Sequence, residues 1–526
     1  IGAINNFLNI FLPAGFYYKT FMWPKSFWYK VYEPFIRKAA GLGVASIKHD
    51  KERYEHKYEY CDLLITGSGP SGLASAYAAA KNGARVILAE DKPRFGGSLL
   101  TSEVNIGNQT GKEWAENIIN ELKEMPNVIV KNRAQVFGYY DHNMLVMSER
   151  LSDHLPKSKS YKPKQRLWYI RAKEVVISSG SIERPLVFGN NDTPGVVLSS
   201  AAKEYLKVYG VLVGRNPLIF TNNDSGYETA IEFKKNGIWP VILDTRSNPN
   251  SEIIDEARRM GINIKFSYVV VAAKGYKKVK SAEIAKISED KKDLGQIENI
   301  NCDCICVSGF WTPTIHLASQ SGNKTKFNKE IDAFVPGQSK QEETTVGSAN
   351  GIFTLEETLK TSFEAGHDLS KKITKNNNNV SIPTVVEKKS TKHDKFWCVP
   401  LPEGKQYKRF LDFQNDVVVT DVELALREGY RSIEHVKRYT TLGMATDQGK
   451  TSNLNGLQLV SNVENKLVPA VGHTTFRPPY TPVTIGAIVG REIGKHSKPT
   501  RKSPIHLWHE KNNAVFVDAG VWLRPR

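Results

Sequence analysis

Cysteine is scarce: five in 526 residues. That excludes a disulfide scaffold and fits a reducing compartment. No Cys-x-x-Cys pair occurs, so a dithiol reductase would lack its redox couple. No Gly-x-Ser-x-Gly elbow is present, which removes the hydrolases built on that turn. Long apolar runs are missing too. The most hydrophobic stretch, residues 7–18, is broken by Asn9 and Pro13 and is too short to span a bilayer. No basic region precedes it, so the expectation is a cytoplasmic protein with neither a secretory signal nor a membrane partner. The chain begins at Ile1 rather than Met, and the natural product is expected to start upstream.

Metal-ligand spacing is also lacking. Cys302, Cys304 and Cys306 are separated by single residues, tighter than zinc sites favour. Their alternation reads as a strand with small core side chains on one face. His435, His473 and His506 have no spacing that suggests a metal. The net charge of +17 is dispersed: residues 371–395 carry seven lysines against two acids, and 491–526 eight basic residues against three. Neither segment interleaves aromatic with basic residues, so no nucleic-acid partner is expected.

What is there is an α/β pattern with appendages. Residues 1–58 are rich in aromatics (Phe16, Tyr17, Tyr18, Phe21, Trp23, Phe27, Trp28) and read as an arm of short helices, more suited to an interface or core wrap than to base stacking. A first dinucleotide-binding unit is expected over 59–210. A second, degenerate unit follows over 211–310, and 311–370 returns to complete the first. Polar bias marks 371–395 as a linker, and 396–526 as a last folded piece. Within it, Asp421 to Tyr439 reads as one helix with Asp421 as its N-cap.

The sharpest signal is Asp62-Leu63-Leu64-Ile65-Thr66-Gly67-Ser68-Gly69-Pro70-Ser71-Gly72. An apolar strand runs into Gly-x-Gly-x-x-Gly, a small-residue helix follows, and a second strand ends at Glu90. Gly67 suits the tight turn, Gly69 lets a pyrophosphate approach the backbone, and Gly72 lets helix and strand pack closely. The helix N-terminus then faces the phosphates. A carboxylate at Glu90 takes adenosine ribose hydroxyls and favours NAD or FAD over NADP. The second unit keeps the spacing without the glycines. Thr221, Asn223 and Gly226 fall on the triplet, Asp244 falls on Glu90, and Asp224 puts negative charge where a pyrophosphate would sit. One dinucleotide is expected, not two. In the late turn Thr345-Val346-Gly347-Ser348, Ser348 stands where two-dinucleotide flavoproteins usually carry an aspartate, which weakens FAD and favours NAD.

Further runs are more specific: Phe95-Gly96-Gly97-Ser98-Leu99-Leu100, Gly309-Phe310-Trp311-Thr312-Pro313, His435 to Lys450, and Phe476-Arg477-Pro478-Pro479-Tyr480. With the arm Ala14 to Pro24, they resemble the alpha subunits of heterotetrameric sarcosine oxidases over essentially the whole chain. The resemblance implies two Rossmann-like units of the disulfide-reductase-like flavoprotein type, with an N-terminal aromatic arm and a C-terminal mixed α/β piece. It implies NAD on this chain, FMN at the interface with a beta subunit, FAD on the beta subunit, and tetrahydrofolate on a C-terminal domain that would begin about where the chain stops, at Arg526. Beta, gamma and delta subunits would be the partners. The reaction would be oxidative demethylation of sarcosine to glycine, giving hydrogen peroxide and a one-carbon unit. Carried over by position, the NAD contacts are Gly67, Gly69, Ser71 and Gly72 at the turn, then Glu90, Asp91, Lys92, Ser98, Val136, Gly180, Asn350 and Leu355. Lys19, Lys437 and Arg438 are candidates for the FMN phosphate. No catalytic residue and no metal ligand is assigned. The alternative is a free-standing NAD(H)- or FAD-dependent oxidoreductase.

Overall fold

The computed structural model describes residues 21, 23–39, 41, 43–44, 46–156, 162–378, 380–387, 393–497 and 499–526. Lys19 and most of the arm signature lie outside the described residues. The chain divides into two units, Ile1–Glu52 and Arg53–Arg526. In the first, Trp28–Tyr32 forms a π-helical turn continued by the helix Glu33–Ala39. Its rings contact one another, Tyr32 with Phe21 at 5.0 Å and with Phe27 at 6.1 Å.

The second unit contains two parallel sheets. In the first the strands run Val128–Lys131, Val86–Ala89, Tyr54–Thr66, Gln165–Ile177, all parallel. The hairpin Ala134–Tyr140 and Met144–Arg150 adds antiparallel to one half of Gln165–Ile177, and Glu343–Thr345 adds parallel to its other half. Leu63, Leu64 and Ile65 are fully buried because both faces of the sheet are covered. On one face lie the helices Pro70–Lys81, Gly111–Glu124 and Leu355–Thr374. Thr110 and Glu113 close the start of the second of these with a reciprocal capping pair. The third crosses the first so tightly that a Cβ on Gly366 would meet Ser75 O at 2.3 Å. Residues 343–374 therefore complete the first unit from far along the chain.

The second sheet runs Val196–Leu198, Cys304–Ser308, Pro217–Thr221, Val241–Asp244, Asn263–Phe266, all parallel. Its first strand and the helix Ser199–Tyr209 lie upstream of residue 211. A three-stranded antiparallel meander, 268–301, packs against it. Cys304 and Cys306 sit in one core cluster, whereas Cys302 precedes the strand and packs in another.

The described residues within 371–395 carry more regular structure than their composition predicts. These include the end of Leu355–Thr374 and the strand Val385–Val386, which pairs antiparallel with the strand Asn105–Ile106. The helix expected over 421–439 is two, Val419–Arg427 and Ile433–Thr440, parted at Gly429, whose φ of +97° ends the first. Asp421 is inside the first turn rather than at the cap, its carboxylate accepting from Val418 N at 2.9 Å. Among the described residues no helix is long and apolar enough to cross a membrane.

Candidate dinucleotide site

The glycine turn lies where the strand Tyr54–Thr66, buried from Cys61 onward, ends and the helix Pro70–Lys81 begins. Gly67 has φ +103°, a conformation that favours glycine. A Cβ on Gly72 would sit 1.9 Å from Gly67 O, so this glycine is required by the chain's own packing. Gly69 differs: a Cβ there would meet nothing within 4 Å, so the space in front of it is open. Gly69 is also the residue before the first helical turn, whose N–H groups have no intrahelical partners. Open space over a glycine at a helix N-terminus is what a pyrophosphate needs.

Glu90 ends the second strand and is buried. Its Oε2 accepts from Ser68 N (2.9 Å) and Ser68 Oγ (2.6 Å), and its Oε1 from Lys92 N (2.8 Å). A carboxylate offers about four lone-pair sites, so one on Oε1 remains for a hydroxyl donor. The Gly97–Leu100 turn, which carries Ser98, lies against Gly69, a Cβ on Gly97 falling 2.8 Å from Gly69 Cα. From the other side comes Gly347–Asn350, the turn of Ser348 and Asn350. A Cβ on Gly347 would strike Ser71 Oγ, and one on Gly180 would lie 3.9 Å from Ser348 Oγ. Gly67, Gly69, Ser71, Gly72, Glu90, Ser98, Gly180 and Asn350 thus converge around one helix N-terminus.

Four carried-over positions are arranged differently. The Lys92 ammonium turns to Glu204 on the helix Ser199–Tyr209, at 2.6 and 2.8 Å, tying the two α/β units together. Only its backbone N–H faces Glu90. Asp91 is held by Arg150, which donates to its carbonyl at 2.7 Å. Val136 is buried in the core of the first sheet, to which the hairpin belongs. Leu355 N–H donates to Glu387 at 2.8 Å, the carboxylate satisfying the start of that helix.

The corresponding turn of the second unit is closed. Arg246, buried, donates to Asp224 at 2.9 Å and to Asp244 at 2.8 Å, and Tyr227 OH donates to Asp244 at 2.7 Å. Burial opposes the Arg246 charge, but the two carboxylates raise its pKa further. A distant segment lies over the turn: Asp394 N donates to Asn222 O at 2.9 Å, and Thr245 Oγ1 to the Asp394 carboxylate at 3.0 Å. Beside it His393 stacks on Phe310 with centroids 3.9 Å apart. Sequence reasoning found Asp224 and Asp244 but missed Arg246 and the covering segment. It also missed Ser178, whose Oγ lies 2.9 Å from both Thr66 O and Gly67 O and locks the first turn. A hydroxyl in the Ser178-Ser179-Gly180 turn was the available signal.

Of the FMN candidates, Arg438 folds back on Glu434, 3.5 Å away. Lys437 has no ion pair among the described residues, which also contain no cluster suited to a metal ion.

These features define a two-dinucleotide-domain oxidoreductase fold with one open and one closed nucleotide turn. The FAD dependent oxidoreductase family model matches residues 62–142, and the sarcosine oxidase A3 domain model matches 406–491. The chain is similar to sarcosine oxidase alpha subunits along its whole length. It is 42% identical over 531 aligned residues to sarcosine oxidase subunit alpha of Rhizobium meliloti (strain 1021), covering 100% of this chain and 52% of that protein. To the subunit of the same name from Corynebacterium sp. (strain P-1) it is 34% identical, covering 92% and 51%. The chain spans about half the length of these curated relatives. Among solved structures, L-proline dehydrogenase from P. horikoshii has the same fold, with a TM-score of 0.61 at 20% identity over 84% of this chain and 81% of that one.

Proposed function

We propose that this chain is the dinucleotide-holding part of a sarcosine oxidase alpha subunit, with NAD bound at Gly67–Gly72 and Glu90. The observation that carries the reading is the contrast between the two turns. One has open space over Gly69 and a carboxylate with an acceptor site to spare. The other is filled by Arg246 and covered by Asp394. NAD would supply a nicotinamide able to carry hydride. With the second turn closed, no second nucleotide on this chain faces it, which favours a structural role.

Flavin chemistry would reside mainly on a beta partner, which would hold FAD and share FMN at its interface with this chain. Lys437, half-buried in the last turn of Ile433–Thr440, suits a phosphate there. Gamma and delta subunits would complete the oxidase, and tetrahydrofolate would bind a further domain of the alpha subunit. The complex would convert sarcosine to glycine in the cytoplasm, with hydrogen peroxide and a one-carbon unit as the other products.

The test is to denature the purified chain and identify the released nucleotide by mass and absorbance. NAD at about one per chain is expected. Released FAD would replace this reading with the free-standing flavoprotein oxidoreductase, which the family model over 62–142 favours. The complex is tested by reconstitution with a beta subunit and an assay for sarcosine-dependent peroxide. NADH turnover at enzyme-like rates by the chain alone would overturn the subunit assignment.

A further inference from the structure

Next to the Gly180 turn, the strand Trp311–Pro313, the helix His316–Gln320 and C-terminal segments around residues 449–457 and 473–476 line a partly enclosed cavity of about 50 Å³. Ile182, Pro313, Ile315 and Leu457 make an apolar wall. The ionisable groups lining it are His316, Lys450 and His473, with no carboxylate among them.

His473 is already partnered: Nε2 lies 2.7 Å from Thr325 Oγ1 and Nδ1 3.1 Å from Thr474 O. His316 is not. It is 4% exposed, and neither ring nitrogen has a hydrogen-bond partner. Its ring packs against Phe476 and Tyr480, centroids 4.0 and 5.2 Å away. Burial, with a smaller push from Lys450, lowers its pKa to about 3, so the ring is neutral and offers one donor and one acceptor. The Lys450 ammonium contacts the Tyr480 ring at 4.9 Å and makes no hydrogen bond or ion pair among the described residues. Burial lowers its pKa, against the opposing fields of Asp447 and Asp91, neither of which lines the cavity. A buried polar group without a partner is unfavourable, and here one such group stands in the same cavity as an unmatched cation.

At about 10–15 Å³ per water, the cavity takes roughly three to five water-sized atoms. Four heavy atoms with a charged end and an apolar end match both its size and its two-sided lining. We propose that this cavity binds a small monocarboxylate, its oxygens accepting from the Lys450 ammonium and the His316 ring N–H and its carbon end against Ile182, Pro313, Ile315 and Leu457. Inorganic phosphate, bulkier and without an apolar end, suits the wall poorly.

The test uses the protein as purified, with ¹³C-labelled acetate as probe and chloride balancing ionic strength. Saturable line broadening of acetate, competed by formate and not by chloride, is expected. Lys450→Met should weaken it at least about tenfold, the effect of losing one hydrogen bond to a charged group. His316→Phe should weaken it as well. No saturable binding to the wild-type protein, or equal affinity in folded Lys450→Met, overturns the proposal. Wild-type protein supplies a second readout if the variants do not fold. Acetate should slow reductive methylation of Lys450, read by peptide mass, several-fold more than chloride does. An unchanged rate overturns the proposal as well.

Discussion

Glu90 and Ser68 are joined twice: one carboxylate oxygen of Glu90 accepts from the Ser68 backbone N–H at 2.9 Å and from its hydroxyl at 2.6 Å. The acid expected to read a ribose therefore also holds the middle of the glycine turn. Glu90→Ala leaves a fully buried Ser68 N–H without an acceptor, and should lower stability by about 1–3 kcal/mol. It should also empty the chain of nucleotide. Ser68→Ala removes only the hydroxyl bond, and should lower stability by about 1 kcal/mol with nucleotide retained. Urea midpoints and nucleotide content, measured together on both variants, check this.

Gly69 and Gly72 should separate binding from folding. Gly69 has φ −67°, a value open to any residue, and a methyl added there would meet nothing within 4 Å. Gly69→Ala should therefore keep the melting temperature of nucleotide-free wild type while losing nucleotide, because the methyl enters the space the pyrophosphate needs. Gly72→Ala would place a methyl 1.9 Å from Gly67 O and 2.7 Å from Ser178 Oγ. Overpacking of this kind lowers stability by about 1–3 kcal/mol or more, with or without nucleotide. Calorimetry with nucleotide analysis distinguishes the two, and equal melting temperatures for the variants would count against the geometry.

Arg246 is the cation of a buried triad with Asp224 and Asp244, whose side chains are 8% and 0% exposed. Arg246→Met leaves two buried carboxylates without that cation, and a loss of about 3–5 kcal/mol is expected. Chemical denaturation measures it. The variant should not gain a second nucleotide, because Asp394 and Asn222 still cover the turn.

The first nucleotide turn was legible because its parts are local. Strand, glycines, helix and Glu90 fall within 30 residues, and each has a separate physical reason to be there. In the second unit the register of Asp244 was equally readable, but the closure was not. Asp394 reaches Thr245 across 149 residues of chain, and no pattern near Thr221 announces it. Lys92 shows the same limit: it was carried over beside Glu90 as a contact at the adenosine ribose, yet the partner of its ammonium is Glu204 in the other unit. Composition was uninformative at 385–387, where polar bias concealed both the Val385–Val386 strand and the Glu387 carboxylate that starts a helix. Helical spacing misled at 421–439, because periodicity continues across Gly429 while the backbone does not.

Asp62 predicts the acid limb of the stability curve. It stands near the end of the central strand, 9% exposed at its side chain, with Arg85 at 3.2 Å and Lys173 at 2.9 Å. Burial raises its pKa, but hydrogen bonds from the Arg85 side chain and backbone and from Lys173 outweigh it, and the value falls from 3.8 to about 2. A carboxyl held below its unfolded value stabilises the native state above that unfolded value, and the contribution disappears as pH falls through the native one. The shift corresponds to about 2 kcal/mol. Asp62→Asn should thus be less stable than wild type by about that amount at pH 7, and the gap should narrow below about pH 4 and vanish near pH 2. Urea unfolding of both proteins across that range measures the gap. A difference that stayed constant with pH would show that Asp62 acts through packing rather than charge.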